Sequence, residues 1–465
     1  MYIKKIEIAG FKGFGEKTSI FFSIPDGKTG SGINVFVGPN NSGKSTIVEC
    51  IQIMTRNIKR ISFDKEERNP RYGNKIEISL YSINNQDEII RSISTVEQGG
   101  SETIVDNKAH PICFPIMSRR FFSAYFGAGD SNTKNYAITK PYDQDRNRVK
   151  NEFLNLLSNI YRDNDKYIEF NKLLSYFMGR ELTWRIERNR GQNYIEIEKK
   201  DNIFHTTLGL GDGIISLLFI TASLFNIDDL DVILIDEPEL SLHPEIQKRV
   251  MKKILEISQN KQIIIATHSP YFIDFDILIN GGKIYRCINT GNVNIRSVSE
   301  DTIDFIKSCK KNIFNPHILG LDAKEIFFLD DNVILVEGQE DVILFNNYIL
   351  PSYPDISINV TFFGWGTGGN HNSPKIAKLL YELGYEKVAI VLDECHDYEE
   401  IKREISEFAS EYYTDKIPAM DIRKSKTIGD TEYLGLLDED DEYNIRDEYK
   451  SDTHKLLTGL STYFE

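Results

Sequence analysis

Between Gly38 and Thr46 the sequence reads GPNNSGKST. Residues of strand character precede it and residues of helical character follow. Glycines spaced as Gly38 and Gly43 let a loop through Asn40, Asn41 and Ser42 curl its N–H groups around a phosphate. Lys44 then adds charge at the β/γ oxygens, the Ser45 hydroxyl suits Mg²⁺, and Thr46 continues into a helix whose N-terminus favours anions. Further along, VILIDEPELSLHP runs from Val232 to Pro244, an apolar strand ending in two carboxylates. Asp236 is placed to hold Mg²⁺ through water, and Glu237 to orient a hydrolytic water at a γ-phosphate. IIIATHSP ends another apolar strand on His268, within reach of the same phosphate. LGLGDG, with Gly209, Gly211, Asp212 and Gly213, precedes a helix and can present N–H groups to a phosphate.

A second set of acidic residues lies in the last third of the chain. VILVEGQEDVILF is an apolar strand, then Glu337-Gly338, then a helix start that puts Asp341 one turn beyond Glu337. VLDECHD ends a later strand on Asp393, and IGDTEYLG places Asp430 and Glu432 after a basic loop. Ligands of open α/β sheets gather beyond the carboxyl ends of the strands. Carboxylates converging there repel one another unless they hold divalent cations. Two such ions about 4 Å apart suit phosphodiester cleavage.

The elements that must position these groups follow from periodicity. Strands are expected at 2–9 and 33–37, a helix from Gly43 to about Ile58, and a hairpin over 75–95 turning at Asn84-Asn85-Gln86. Residues 98–145 look irregular. Helical spacing spans 148–178, with strands at 182–187 and 194–198, a helix after Gly213, and buried strands at 231–235 and 263–266. The pattern weakens over 301–329, the expected linker. Strand–helix alternation then resumes at 332–336, 340–349, 357–362, 373–384, 387–392, 398–410 and 417–422.

The four N-terminal motifs, in this order, resemble the ABC-type ATPase head shared by the RecF, SMC and Rad50 proteins. VEG-x-x-D on a strand-to-helix turn, a strand ending in aspartate and a later D-x-E resemble the TOPRIM domain. A head followed directly by TOPRIM is similar to the layout of the OLD (overcoming lysogenization defect) nucleases. The resemblance implies an α/β fold: an ABC-type P-loop ATPase domain over 1–300 with a helical dimerisation insert near 146–180, then a Rossmann-like TOPRIM domain over 330–465. It implies ATP and Mg²⁺ as cofactors, with Mn²⁺ an option at the second site, and Glu337, Asp341, Asp393, Asp430 and Glu432 as metal ligands or their supports. It gives Gly209, Gly211 and Asp212 a role in completing a neighbour's ATP site, and puts Ser241 and Leu242 at that interface. DNA is the implied substrate, in a homodimer or larger homo-oligomer serving antiphage defence. A second component, such as a helicase, a retron complex or another effector, is the implied partner.

Two positions depart from the family pattern. Cys395 stands where a second aspartate is usual, so that Asp397 or Glu394 substitutes, fewer carboxylates suffice, or cleavage is weak or lost. The lysine that the family places near the scissile phosphate has three candidates, Lys426, Lys450 and Lys455. The alternative is an ATPase sensor scaffold whose degenerate TOPRIM domain holds a separate effector. A repair ATPase of the RecF kind would leave the C-terminal motifs without a role.

Composition sets the outer bounds. At 465 residues, 40% apolar and 27% charged, the chain suits two or three domains. No apolar run reaches the roughly eighteen residues of a membrane span. MYIKKIEIAGF alternates like a strand and lacks a signal peptide's apolar core. The five cysteines form no CxxC pair or zinc spacing, and a reducing cytoplasm fits them. A net charge of −15 excludes a generally basic surface but not a local basic strip. Arg56/Lys59/Arg60, Arg119/Arg120, Arg185/Arg188/Arg190 and Arg423/Lys424/Lys426 are such strips.

Overall fold

Aliphatic runs without polar interruption are stable as strands covered on both faces, and both halves of the chain are built around such strands. The computed structural model describes residues 1–55, 61–84, 87–95, 104–105, 109–116, 146–189, 192–200, 203–206, 211–225, 230–311, 324–329, 332–364, 366–428, 430–438 and 442–465. The Asn85-Gln86 turn, most of 98–145, and the basic residues Arg56, Lys59, Arg60, Arg119, Arg120 and Arg190 lie outside them. The chain divides into two units, Met1–Ile295 and Arg296–Glu465.

The first unit opens with β1 (Tyr2–Ala9), β2 (Thr18–Phe21), β3 (Ile33–Val37) and α1 (Lys44–Met54), followed by β4 (Glu77–Asn84), β5 (Asp87–Ser94), β6 (Ile104–Val105) and β7 (Cys113–Ile116). Next come α2 (Arg146–Arg162), α3 (Asn164–Met178), β8 (Trp184–Asn189), β9 (Gln192–Lys200) and β10 (Ile203–Thr206). The unit ends with α4 (Asp212–Phe225), β11 (Val232–Asp236), α5 (Pro244–Ile257), β12 (Gln262–Ala266), α6 (Phe275–Ile279), β13 (Lys283–Asn289) and β14 (Val293–Arg296).

A six-stranded sheet of order β14-β13-β3-β12-β11-β7 forms the floor. Its members from β13 to β7 run parallel, with Ile33 opposite Ile263 and Val232 opposite Gln262. Every residue of β3, β11 and β12 is buried. Parallel pairing brings the ends of these strands, Val37, Asp236 and Ala266, to one edge. A second sheet, β2-β1-β4-β5-β6, is antiparallel. Helix α1 fills the space between the sheets, with Ile47, Val48, Ile51 and Met54 in one core with Ile6, Ile78, Leu80, Leu234 and Ile264. The helix is shorter than the expected Gly43–Ile58; Thr55 caps it through its N–H on the Ile51 carbonyl.

Two buried amides stitch the layers together. Gln262 accepts from the Ile3 N–H at 2.8 Å and donates to the carbonyls of Ile3 at 2.7 Å and Ser23 at 2.8 Å. Asn34 accepts from the Ser23 N–H at 2.8 Å. Inserted before α4, helices α2 and α3 meet the antiparallel sheet β10-β9-β8 around the fully buried Trp184, whose Nε1–H donates to Asn171 at 2.6 Å.

The second unit contains α7 (Glu300–Lys311), β15 (Asn332–Leu335), α8 (Gln339–Leu344, continued by a π turn over Phe345–Ile349), β16 (Thr361–Phe362), α9 (Ser373–Glu382), β17 (Lys387–Leu392), α10 (Tyr398–Phe408) and β18 (Tyr413–Lys416). Hairpins β19 (Ser425–Ile428)/β20 (Thr431–Leu434) and β21 (Leu437–Asp438)/β22 (Asn444–Ile445) follow, and α11 (Lys450–Phe464) closes the unit. The sheet, of order β16-β15-β17-β18, is parallel throughout.

Three stretches differ from the periodicity. The expected linker opens with a helix, because Thr302, Ile306 and Cys309 form a buried stripe at helical spacing. The strand expected at 417–422 lies instead at Tyr413–Lys416. Ile417, Ala419 and Ile422 are buried and imitate a strand, but Pro418 has no N–H for a ladder and the segment is an irregular loop. The strand expected at 357–362 is reduced to Thr361–Phe362.

Replacing Gln262 with leucine keeps the volume and orphans one buried N–H and the amide's share of two carbonyls. The Gln262→Leu protein should lose about 1–3 kcal/mol of stability per orphaned group, read as a lowered denaturation midpoint. A midpoint equal to wild type would show that the two sheets are not joined through this amide.

Candidate functional site

At the first edge, the loop from Gly38 to Gly43 turns on positive φ values: +139° at Gly38, +62° at Asn41 and +97° at Gly43. A Cβ on Gly38 would lie 2.2 Å from the Cys287 carbonyl oxygen, so both φ and space demand glycine. Lys44 is buried, and its ammonium donates to the carbonyls of Gly38 and Pro39 at 2.9 Å each. Burial pulls its pKa down, against the nearby Asp236 and Glu237 carboxylates. The Ser45 hydroxyl donates to Asp236 Oδ1 at 3.1 Å, which places side by side the two oxygens that suit Mg²⁺. A cleft of ≈ 510 Å³ opens here, lined by the loop, Thr46, Glu237, His268 and Asn289.

Glu237 follows β11 directly and adopts φ +50°, with its N–H held by the Ala266 carbonyl at 2.8 Å. A non-glycine residue held in that region at a cleft is a mark of a functional turn. His268 Nε2 lies 3.9 Å from Glu237 Oε1. Burial, then the Lys44 charge, lowers the histidine's pKa, so at neutral pH the ring is neutral and the contact is not an ion pair. Glu239 accepts from Thr267 Oγ1 at 2.7 Å and from the His268 N–H at 2.6 Å. Burial raises its pKa against those two hydrogen bonds.

Gly211 and Asp212 are exposed at the start of α4; Gly209 lies outside the described residues. Gly213 packs so closely on the next turn that a Cβ there would meet the Ser241 carbonyl at 2.5 Å. Ser241 is exposed with φ +61°, and Leu242 is buried.

At the second edge, β15 and β17 deliver Glu337 and Asp393 side by side. The Glu337 carbonyl accepts from the N–H groups of Gly368 at 2.9 Å and Gly369 at 3.2 Å. Gly366 lies against Gly338, where a Cβ would come within 2.6 Å of its Cα. Asp341 caps its own helix, taking the Gly338 N–H on Oδ2 at 2.7 Å. Burial raises its pKa to about 7, helped by the charges of Glu337 and Asp421. Burial raises Asp393 to about 8, helped by Asp341, Glu337 and Asp421 and opposed by Lys426. Lys426 Nζ donates to Asp393 Oδ2 at 3.1 Å and lies 3.7 Å from Asp421 Oδ2.

Asp421 is the acidic residue that periodicity missed. It is buried and clamped by Arg423, from Nε at 2.9 Å and Nη2 at 2.8 Å, while Arg423 Nη1 reaches Glu340 at 2.8 Å. Burial raises Asp421, but the Arg423 hydrogen bonds and charge outweigh it and hold the carboxyl below its usual range. The signal in the sequence was the adjacent basic loop, read there as a surface strip. The glycines at 366, 368 and 369 were a second overlooked signal.

Asp430 and Glu432 do not join the cluster. Both are exposed on the β19/β20 hairpin. Lys426 pairs with Tyr433 and Thr427 with Glu432, so strand alternation turns Glu432 to the face opposite Lys426. Ser425 on that face donates to Glu432 at 2.6 Å. Of the candidate lysines only Lys426 reaches the carboxylates; Lys450 pairs with Asp447 at 2.7 Å and Lys455 is exposed. Glu394 is bound by Lys416 at 2.5 Å, and Asp397 is exposed at the start of α10. Burial pushes the Cys395 thiol up, so it is neutral.

The donor set is chemically suited to a hard divalent cation: carboxylate oxygens in a desolvated pocket, with Glu337 Oε2 buried and lacking a hydrogen-bond partner. Among the described residues no three His, Cys, Asp or Glu side chains are closed into a ready metal cage. No helix among the described residues is long and apolar enough to cross a membrane.

Comparison with known proteins places these sites in context. The chain is 30% identical over 214 residues to "Endonuclease GajA" of Bacillus cereus (strain HuB5-5), covering 39% of this chain and 30% of that protein. It is 29% identical over 111 residues to "Old nuclease" of Escherichia phage P2, covering 24% of this chain and 18% of that one. The chain thus spans less than a third of the length of either relative. A solved structure, an SMC head domain from Thermotoga maritima, matches at 19% identity and TM-score 0.39 over 64% of this chain and all of that one. The family model described as "AAA domain, putative AbiEii toxin, Type IV TA system" matches residues 33–274, more than half of the chain. The chain belongs to that AAA domain family.

Proposed function

We propose that the first unit binds and hydrolyses ATP with a divalent cation, and that the second is a TOPRIM-type phosphodiesterase acting on DNA. The observation that carries the second half is the meeting of Glu337, Asp341, Asp393 and Asp421 with Lys426 at one sheet edge. The kinship with two proteins named as nucleases supports it.

In the first site, Lys44 and the loop N–H groups hold the β- and γ-phosphates. Glu237 orients the attacking water, and neutral His268 donates an N–H to the γ-phosphate. Ser45 and Asp236 would hold Mg²⁺, which neutralises phosphate charge when bound. Gly211 and Asp212, exposed at the head of α4, would complete the site of a second copy, so ATP would favour a homodimer or larger assembly. In the second site, Glu337, Asp341 and Asp393 would hold Mg²⁺ or Mn²⁺, which supplies charge stabilisation to a phosphodiester in transition. Lys426 donates a hydrogen bond to the same phosphate, and Arg423 keeps Asp421 ionised beside it.

The second reading, a scaffold that restrains a separate effector, is favoured by the absence of a closed cage among the described residues and by Cys395. Plasmid cleavage by the purified chain with Mg²⁺ and with Mn²⁺, with and without ATP, separates the two. The nuclease reading expects cleavage that Glu337→Ala and Asp393→Ala each remove while ATP turnover is unchanged. Cleavage by neither wild type nor variant, with a partner-dependent activity that survives both substitutions, would decide for the scaffold.

The ATPase half predicts that Lys44→Ala abolishes nucleotide binding. Glu237→Gln should bind ATP normally but turn over on the order of 10²-fold more slowly, the scale of losing a positioned base. Wild-type turnover in Glu237→Gln would remove Glu237 from its role.

The second site also predicts a pH signature. An unfolded aspartate releases its proton near 3.8, whereas folded Asp341 and Asp393 hold theirs to about 7 and 8. Above 3.8 the unfolded chain therefore binds fewer protons, and their contribution to stability falls as pH rises through 8. In EDTA the melting temperature should drop between about pH 5 and pH 8. Asp393→Asn should flatten that slope, and Mg²⁺ should restore stability at the alkaline end. An Asp393→Asn profile parallel to wild type would contradict the buried-carboxylate account.

A further inference from the structure

We propose that Glu239 is a positioning residue for ATP hydrolysis: it sets His268 against the γ-phosphate and fixes its separation from Glu237. The proposal rests on the ATPase reading above. Glu239 sits in the turn after β11, and both its carboxylate oxygens are spent on the turn after β12. One takes the Thr267 hydroxyl at 2.7 Å, the other the His268 N–H at 2.6 Å. A half-buried carboxylate that takes a donor on each oxygen from one short turn fixes that turn in position and in rotation. The two turns it joins carry Glu237 and His268, the residues facing the cleft from adjacent strands.

A second clamp grips the other side of His268. Ser269 Oγ donates to Gln247 Oε1 at 2.6 Å, and Gln247 Nε2 donates to the Leu242 carbonyl at 2.8 Å. The turn bearing His268 is thus tied at 267, 268 and 269 to the segment 239–247. Backbone contact supplies the third link, from the Glu237 N–H to the Ala266 carbonyl. The outcome is the 3.9 Å between His268 Nε2 and Glu237 Oε1. That distance is too long for a hydrogen bond and suits two groups aimed at a common third atom. Pro238, between Glu237 and Glu239, narrows the backbone freedom of the turn that holds both.

The test is a double-mutant cycle on ATP turnover, using wild type, Glu239→Ala, His268→Ala and the double variant, with nucleotide affinity and melting temperature measured on each. Glu239→Ala should lower kcat by on the order of 10²-fold, as for an angstrom-scale misplacement, with KM for ATP retained. In the His268→Ala background the same change should cost nothing further, because Glu239 acts through that histidine. Glu239→Gln keeps one acceptor and can reverse the bond to Thr267, whose hydroxyl both donates and accepts, so it should recover most of kcat. If Glu239→Ala does not fold, Thr267→Val and Glu239→Gln enter the same cycle in its place. Additive losses, or a raised KM with kcat kept, would overturn the inference. Absence of turnover in the wild-type chain would overturn the ATPase reading, and this inference with it.

Discussion

A strand buried on both faces has nowhere to put a polar side chain except its ends, and the rest of this molecule follows from that constraint. Burying a polar group without a partner costs several times what a hydrogen bond returns. Strands β3, β11 and β12, buried at every residue, therefore discharge their chemistry at Gly38, Asp236 and the Thr267-His268 turn. Parallel pairing sends those ends to one edge, and the hydrogen bonds of Glu239 and Gln247 then hold the turn that carries His268. The same rule in the second unit sends Glu337 and Asp393 to a common edge from β15 and β17. Asn34 is an exception that supports the rule, an interior amide whose oxygen takes the Ser23 N–H, and Gln262, at the start of β12, has its hydrogen bonds met by the neighbouring layer.

The two edges handle buried charge in opposite ways. In the first, one ammonium is held by backbone carbonyls and faced by carboxylates, so the loop tolerates the arrival of a polyphosphate. In the second, four carboxylates gather, and burial first, then the neighbouring charges, raises the proton affinity of Asp341 and Asp393. Arg423 takes Asp421 in a two-pronged grip, and Lys426 spans Asp421 and Asp393. The basic strip therefore braces carboxylates through Arg423 and Lys426. A strip of arginine and lysine beside an acidic loop is as well suited to bracing carboxylates as to meeting phosphate.

Legibility followed the same division between regular and irregular backbone. The loop at 38–46, the Asp236-Glu237 end and the 387–392 strand were readable because buried strands write continuous aliphatic runs. Asp421 was unreadable because Ile417, Ala419 and Ile422 bury themselves in a loop, so their pattern imitates a strand and shifts its end past the true one at Lys416. Asp430 and Glu432 misled for a related reason. Their spacing is compatible with the cluster, but cross-strand register sends Lys426 inward and Glu432 outward, and composition does not reveal register. The helix at 300–311 was hidden by Lys307 and Lys310, which lie off the stripe of Thr302, Ile306 and Cys309.

Cys395 looks different once Asp421 is placed. A fifth carboxylate at that position would add its charge to a buried cluster in which Asp341 and Asp393 already hold their protons tightly, through burial first and the charges of Glu337 and Asp421 second. The neutral thiol adds bulk without charge, and Asp421, arriving from the following loop with its own arginine, supplies negative charge already compensated. Neither local substitute takes part, since Glu394 is committed to Lys416 and Asp397 faces solvent. The charge at this edge is thus carried partly by the loop after β18, through Asp421, and not by position 395. The acidic edge keeps its oxygen donors while shedding the repulsion that a second aspartate on the same strand end would bring.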